Sequence, residues 1–235
     1  MGQVSTSARP DPREVPAYHL VEAAHYLNIP KATLSSWVVG RPYPVADGKK
    51  FFHPVIEIAD KRRKLLSFIN LVEAHVLDAI RRREHRIQLP KIRQAINYLR
   101  REFHSNHPLV DQLLETDGLD LFVQKYGQLI NISQEGQLAM REMLQAFLRR
   151  VERDSHGVPI KLYLFARRGD VDEPLNVVVD PTISFGRPTL AGTNIPTSVL
   201  AERFKAGDSP EELAEDYGRP RQEIEEAIRY ELKAA

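Results

Sequence analysis

Residues 18–44 read YHLVEAAHYLNIPKATLSSWVVGRPYP, and the reading of this stretch decides the fold. Leu20, Ala23, Ala24 and Leu27 recur at helical spacing. Asn28 closes that short helix, and Pro30 suits the first turn of the next, where its missing N–H would have no partner anyway. Leu34 lies three residues before Trp37 and four before Val38, so these side chains face the first helix. Gly40 ends the second helix. Two short helices joined by a turn of a few residues make a helix-turn-helix. That packing predicts Lys31, Thr33, Ser35 and Ser36 largely outward. A cation and short hydroxyls are what a helix needs to touch base edges and phosphates in a major groove. A plain helical hairpin with a polar outer face fits the same residues equally well.

Working outward, RPYPVADGKKFFHP carries Asp47-Gly48, a strong hairpin signal, followed by Lys49 and Lys50. A hairpin with lysines at its tip, placed directly after a helix-turn-helix, reads as a wing laid on the DNA backbone. Leu65, Leu66, Ile69, Val72, Val76 and Ile80 then form a broad apolar stripe, predicting a packed helix. Lys61, Arg62, Arg63 and Lys64 are taken to mark its start, where cations oppose the helix dipole and a phosphate would account for them. Arg81, Arg82 and Arg83 mark its end and complement the dipole there. Pro90 opens another helix with Ile92, Ile96, Leu99 and Phe103 on one face.

A boundary is expected near HSNHP (104–108). Beyond it, LDLFVQKYGQLINIS reads as two short strands around Tyr126-Gly127. Ser133 caps a helix over about 134–153, and KLYLFARR and LNVVVD read as strands. After Asp180-Pro181, one helix ends at Gly207. Ser209-Pro210-Glu211-Glu212 is a capping box for a second that stops at Gly218, and Pro220 starts a third. The predicted fold class is mainly α with a smaller α+β part. A disordered lead-in (1–15) precedes a winged helix-turn-helix (16–105), then a middle antiparallel sheet plus helix serving dimerisation (106–180), and a three-helix, helix-turn-helix-like end (181–235).

The net charge of +1 conceals an asymmetry. Residues 16–105 hold 16 Lys+Arg and 8 Asp+Glu, a net of +8; residues 106–235 hold 15 and 22, a net of −7. Two partners of opposite sign are the simplest reading, with a polyanion on the basic part. The acidic last fifty-five residues favour a protein partner over DNA. The absence of cysteine excludes disulfides and zinc-thiolate sites and is compatible with a cytoplasmic location. No run of eighteen apolar residues predicts a membrane span. Enzyme signals are weak: His104 and His107, with Asp111 nearby, form the closest histidine pair, yet no HExxH, Walker or GxSxG frame accompanies them. Neither catalysis nor a metal or other cofactor is expected.

EAAHYLNIPKATLSSW, then GRPYP and a hairpin, resembles the winged helix-turn-helix of MerR-like regulators, and LPKIRQAINYL extends the likeness. Where those recognition helices usually carry arginines, this chain has Ala32 and Ser35. A second stretch contains Gly186-Arg187-Pro188, Gly192-Thr193-Asn194-Ile195-Pro196 and Gly207 through Ala214. It resembles a VapB-type antitoxin family first catalogued as a domain of unknown function. The resemblance implies a homodimeric antitoxin of a type II toxin–antitoxin pair. It would cover a PIN-like ribonuclease toxin and repress its operon by binding double-stranded operator DNA. Lys31, Thr33, Ser35 and Ser36 are expected in the groove, with Arg41, Lys49, Lys50, Lys61, Arg62 and Arg63 on phosphates. The alternative is a stand-alone MerR-like or excisionase-like regulator without a toxin.

Overall fold

Two strands of two residues each register the start of the chain against its middle. In the computed structural model, which describes residues 10–45, 48–82, 89–166 and 172–233, β1 (Tyr18–His19) runs antiparallel to β4 (Leu65–Leu66). The side chains of residues 45, 49, 50, 82 and 233 lie outside that description. Between the two strands come α1 (Leu20–Tyr26), α2 (Lys31–Val38) and the hairpin of β2 (Arg41–Val45) and β3 (Gly48–Phe52). α3 (Phe68–Arg82) follows β4, and α4 (Leu89–Glu102) follows α3.

α3 is buried almost all round, so its polar side chains need partners inside the protein. Asn70 supplies several. Its Oδ1 accepts from Ala59 N at 3.0 Å and Ser67 N at 3.1 Å, and its Nδ2 donates to Glu57 O and Glu73 Oε2, both at 2.9 Å. His75 lies beside Phe147 and stacks on Phe165, with Nε2 at 3.0 Å from Phe147 O.

Beyond a short 3-10 turn at Gln112–Glu115, α5 (Asp117–Ile130) packs on α4, and α6 (Gln134–Leu148) packs on α3 and α5. A four-stranded antiparallel sheet follows in the order β5 (Val151–Arg153), β6 (Pro159–Tyr163), β7 (Val177–Val179), β8 (Thr189–Leu190). The chain ends in α7 (Thr197–Ala206), α8 (Pro210–Tyr217) and α9 (Arg221–Lys233). The Ser209–Glu212 capping box is formed: Ser209 Oγ accepts from Glu212 N at 3.2 Å, and Ser209 N donates to Glu212 Oε2 at 2.7 Å. The fold class is therefore mainly α with a smaller α+β part.

Three local expectations are corrected. Residues 119–133 are not two strands, because α5 occupies most of them. Leu119, Phe122, Val123 and Tyr126 repeat at helical spacing and are buried together, and left-handed Asn131 ends the helix. α6 stops at Leu148 instead of near 153, and Val151 already belongs to the sheet. Lys61, Arg62, Arg63 and Lys64 do not open α3. They form an exposed turn between Asp60 and Leu65, which exchange backbone hydrogen bonds of 3.1 Å, with Lys64 left-handed. The dipole argument for that cluster therefore falls away. The true start of α3 is marked by Ser67, whose Oγ accepts from Asn70 N at 3.2 Å.

Helices α7 to α9 do not hang from the end of the sheet. β8 pairs with β7, and α9 lies against both strands. On the other side α9 reaches α1: Tyr230 Oη donates to Tyr26 O at 3.1 Å, and Glu231 Oε2 lies 3.1 Å from His25 Nε2. Ser184, Phe185 and Gly186 form a left-handed turn seated on Tyr18. Only glycine fits at 186, because a Cβ there would lie 2.2 Å from Tyr18 Oη.

Candidate nucleic-acid interface

The helix-turn-helix closes as its apolar spacing requires. Ala23, Ala24 and Leu27 of the first element meet Leu34, Trp37 and Val38 of the second, and all six are buried. Left-handed Asn28 makes the turn, with Ile29 N donating to Ala24 O at 2.9 Å. Past the hairpin the chain folds back on the end of α2, where Val55 N and Ile56 N donate to Trp37 O at 2.7 and 3.1 Å. Those bonds occupy a helix-end carbonyl that has no partner within the helix.

Lys31 is exposed, and Thr33 and Ser35 are half-buried. Ser36 departs from its expected outward position. It is only 7% exposed, and its hydroxyl donates to Thr33 O at 2.7 Å. That back-bond to the carbonyl three residues earlier occupies the hydrogen a base edge would need.

The hairpin stands beside α2 with Arg41 paired to Phe52 and Tyr43 to Lys50. Pro42 and Pro44 lack N–H groups, so only residues 41, 43 and 45 of β2 can donate to the ladder. Gly40 permits the hairpin's close root, where a Cβ would lie 2.2 Å from Phe52 O. Arg93 of α4 braces that root from behind: its guanidinium lies 4.9 Å from the Phe52 ring centroid and donates to His53 O. The expected wing tip, Asp47 with the Lys49 and Lys50 side chains, lies outside the described residues.

Between α2 and the hairpin lies a cleft of about 440 Å³. Thr33, Ser36, Arg41, Tyr43, Phe52 and Arg81 line it, and the start of α4 closes it. Of the sequence-nominated residues it gathers Thr33, Ser36 and Arg41. Arg41 is exposed. Lys61, Arg62, Arg63 and Lys64 are exposed on their separate turn and do not line the cleft. The sequence reading missed Tyr43 and Arg81 as members of this surface. Arg81 sits 5.4 Å from the Trp37 ring centroid. Burial pulls its guanidinium below the ordinary arginine pKa; Asp78, three residues earlier on α3, opposes the shift and Arg41's charge adds to it. No spacing rule links residue 81 to residue 37.

The acidic end treats its cations differently. Arg203 pairs with Asp208 at 2.5 Å and Asp216 at 2.6 Å, Arg219 with Glu223 at 2.6 Å, and Arg221 with Glu225 at 2.6 Å. Arg229 pairs with Glu226. Of the histidine pair weighed as a catalytic signal, His107 Nδ1 lies 3.1 Å from Glu73 Oε1, an ion-pair contact rather than an aligned hydrogen bond. That carboxylate holds the imidazole above its ordinary pKa against the opposing effect of burial. Among the described residues no group of three or more His, Asp or Glu is arranged to hold a metal ion, and no helix is long and apolar enough to cross a membrane.

Two family models match separate segments of the chain. The model of a family described as "Putative DNA-binding HTH domain" matches residues 16–96. The model of a family described as "Protein of unknown function (DUF433)" matches residues 177–230. The chain is similar to "Putative antitoxin VapB45" of Mycobacterium tuberculosis (strain ATCC 25618 / H37Rv), at 27% identity over 233 residues, covering 92% of this chain and 93% of that protein. It is similar to "Uncharacterized protein Rv2308" of the same organism at 26% identity over 231 residues, covering 94% and 91%. The X-ray crystal structure of Rv2018 from Mycobacterium tuberculosis superposes with a TM-score of 0.66 at 24% identity, covering 92% of this chain and 98% of that one. That likeness shows a shared fold.

Proposed function

We propose that this protein is a DNA-binding antitoxin that represses its own operon and neutralises a ribonuclease toxin of PIN-like fold. The observation that carries the reading is the coexistence of two surfaces on one folded chain. One is a helix-turn-helix with an adjoining hairpin in the +8 part; the other is an acidic three-helix end whose described arginines at 203, 219, 221 and 229 are already paired to carboxylates. Similarity to "Putative antitoxin VapB45" along nearly the whole chain supports joining these surfaces in one function.

In this reading residues 16–105 grip the duplex in a MerR-like winged manner. Lys31, Thr33 and Ser35 meet the major groove, while Arg41, Lys49 and Lys50 meet phosphates, with Lys61, Arg62 and Arg63 as a flanking contact. A homodimer held by the middle region would set two α2 helices about 34–36 Å apart, one helical turn of DNA. Residues 181–235 present carboxylates to the toxin, a match for a cationic RNA-binding surface.

The test is co-expression of the tagged chain with the untagged product of the adjoining reading frame. Joint purification, relief of growth arrest and a salt-sensitive mobility shift with the upstream DNA are the expected results. A shift with DNA but no partner and no rescue would favour the stand-alone regulator. Without any shift, the DNA half of the proposal fails.

A further inference from the structure

Arg81 lies against a buried ring and also lines an open cleft. It is half-buried over Trp37, and Asp78, three residues earlier on α3, offsets only part of the effect of burial on its guanidinium. Several other buried or half-buried arginines have carboxylate or carbonyl partners, and Arg93, like Arg81, lies against a ring. Arg153 is paired to Glu115 at 2.6 Å and donates to Val110 O and Gly157 O. Arg150 donates to Glu173 O at 2.8 Å, and Arg13 lies between Asp11 and Asp154. Arg81 instead opens onto a cleft shared with a second guanidinium, Arg41, and none of the described residues lining that cleft is acidic. Holding two like charges beside each other, one of them partly withdrawn from water, is a standing electrostatic cost that an anion in the cleft removes.

We propose that the cleft between α2 and the β2–β3 hairpin is an anion site that seats a phosphate group, gripped by Arg41 and Arg81 with the Thr33 hydroxyl as a neutral donor. The planar guanidinium fork matches the oxygens of a phosphate, and stacking on Trp37 holds the Arg81 fork in place before any ligand arrives. Tyr43 and Phe52 supply an aromatic wall, and the volume falls within the range of small-ligand sites. The inference deepens the DNA-binding reading and rests on it only for the natural source of the phosphate, the duplex backbone running past the exposed start of α2. A free phosphate would satisfy the same chemistry.

Trp37 is the only tryptophan in the chain, and Arg81 lies against it, so its fluorescence reports on the cleft through Arg81. The full-length protein is titrated with inorganic phosphate at constant ionic strength, with chloride as the matched control, and separately with a duplex of the upstream DNA. A saturable change in Trp37 emission with phosphate is expected, absent in Arg81→Gln, weakened in Arg41→Gln and retained in Arg101→Gln, which alters an exposed arginine on α4. With duplex, Arg81→Gln is expected to lower the slope of log K against log salt by about 0.9, one phosphate contact. With equal affinities at 1 M salt, that difference in slope leaves the variant roughly eightfold weaker than wild type at 0.1 M.

Urea midpoints verify that each variant is folded. Should Arg81→Gln not fold, Arg81→Lys, which keeps the charge but loses the fork, is expected to show a weakened phosphate response. Duplex binding with an unchanged slope in the Arg81 variant, together with no difference between phosphate and chloride, overturns the site while leaving DNA binding intact. A phosphate response that depends on Arg81, in a protein that binds no duplex, upholds the site and removes the DNA reading.

Discussion

Deleting residues 181–235 is expected to weaken the remaining chain severely, because that segment completes a sheet and covers the first helix. β8 pairs along β7, whose Val177, Val178 and Val179 are 1%, 4% and 0% exposed. The left-handed turn at Ser184–Gly186 seats on Tyr18, and Tyr230 covers Tyr26. Cutting after Asp180 uncovers the three valines and Tyr18 without removing them. Full burial of a large apolar side chain stabilises by about 1.5–3 kcal/mol, so losing half the burial of four costs roughly 3–6 kcal/mol. Native domains hold only about 5–15 kcal/mol in total. For a chain of this size each kcal/mol lowers Tm by about 2–4 °C, giving a fall of roughly 6–24 °C. Thermal and urea unfolding of the full and shortened chains, followed by Trp37 emission and far-UV circular dichroism, measures the difference. The freed edge of β7 should also promote association, visible by light scattering. A shortened chain that stays monodisperse and melts within about 2 °C of the full one would refute the reasoning, since that margin is worth less than about 1 kcal/mol. It would mean that the last three helices are an independent unit. Otherwise point substitutions, not truncations, are the way to separate a DNA face from a protein face.

Lys31→Ala and Arg41→Ala, both at exposed positions, should each reduce the salt slope of duplex binding by about 0.9, measured by fluorescence anisotropy across a potassium chloride series; Glu225→Gln on α9 should leave it alone. Leu34→Ala, at a position 0% exposed between α1 and α2, should cost about 3–5 kcal/mol in urea unfolding through the cavity it leaves. His107 is held above its unfolded pKa chiefly by Glu73, with Glu14 adding and burial and Arg100 opposing. Its contribution to stability is therefore complete below about pH 6.5 and is lost as pH rises through the folded value. Unfolding curves at pH 5.5 to 8.5 should accordingly show a decline in wild type above about 6.5 that His107→Gln flattens; parallel profiles would exclude the pair as its source.

The helix-turn-helix was legible because its signals are local and agree with one another. Apolar spacing brings Leu34 and Trp37 under α1, Asn28 takes the left-handed turn, and Gly40 allows the hairpin root. The capping box at Ser209 and Glu212 was legible for the same reason. α5 was not, because Leu119, Leu121 and Val123 alternate as a strand would, while Leu119, Phe122, Val123 and Tyr126 repeat as a helix. Two periods fit one string, and packing on α4 and α6 decides between them. Asn131, which takes the left-handed stop, was the available clue. The charge run at Lys61, Arg62, Arg63 and Lys64 drew the eye from Ser67, the capping residue three positions later. Ser36 looks outward by spacing alone, and only its back-bond to Thr33 turns it in.

Net charge per segment says which half is cationic but not which cations are free to act. The fold answers by how it partners arginine. In the acidic end Arg203, Arg219, Arg221 and Arg229 are each bound to carboxylates, so their charge is neutralised where it stands. In the cationic part Arg81 and Arg93 lie against the rings of Trp37 and Phe52. An aromatic face positions a guanidinium without neutralising it, whereas a carboxylate does both. Arginines held on rings beside a helix-turn-helix keep their charge available to a polyanion. Arginines held on carboxylates leave the surplus acids to define the surface. At the proposed anion site, Trp37→Leu should therefore weaken phosphate binding although the indole carries no charge; isothermal titration calorimetry measures this, since the substitution removes the fluorescent reporter, and a urea midpoint verifies that the variant is folded.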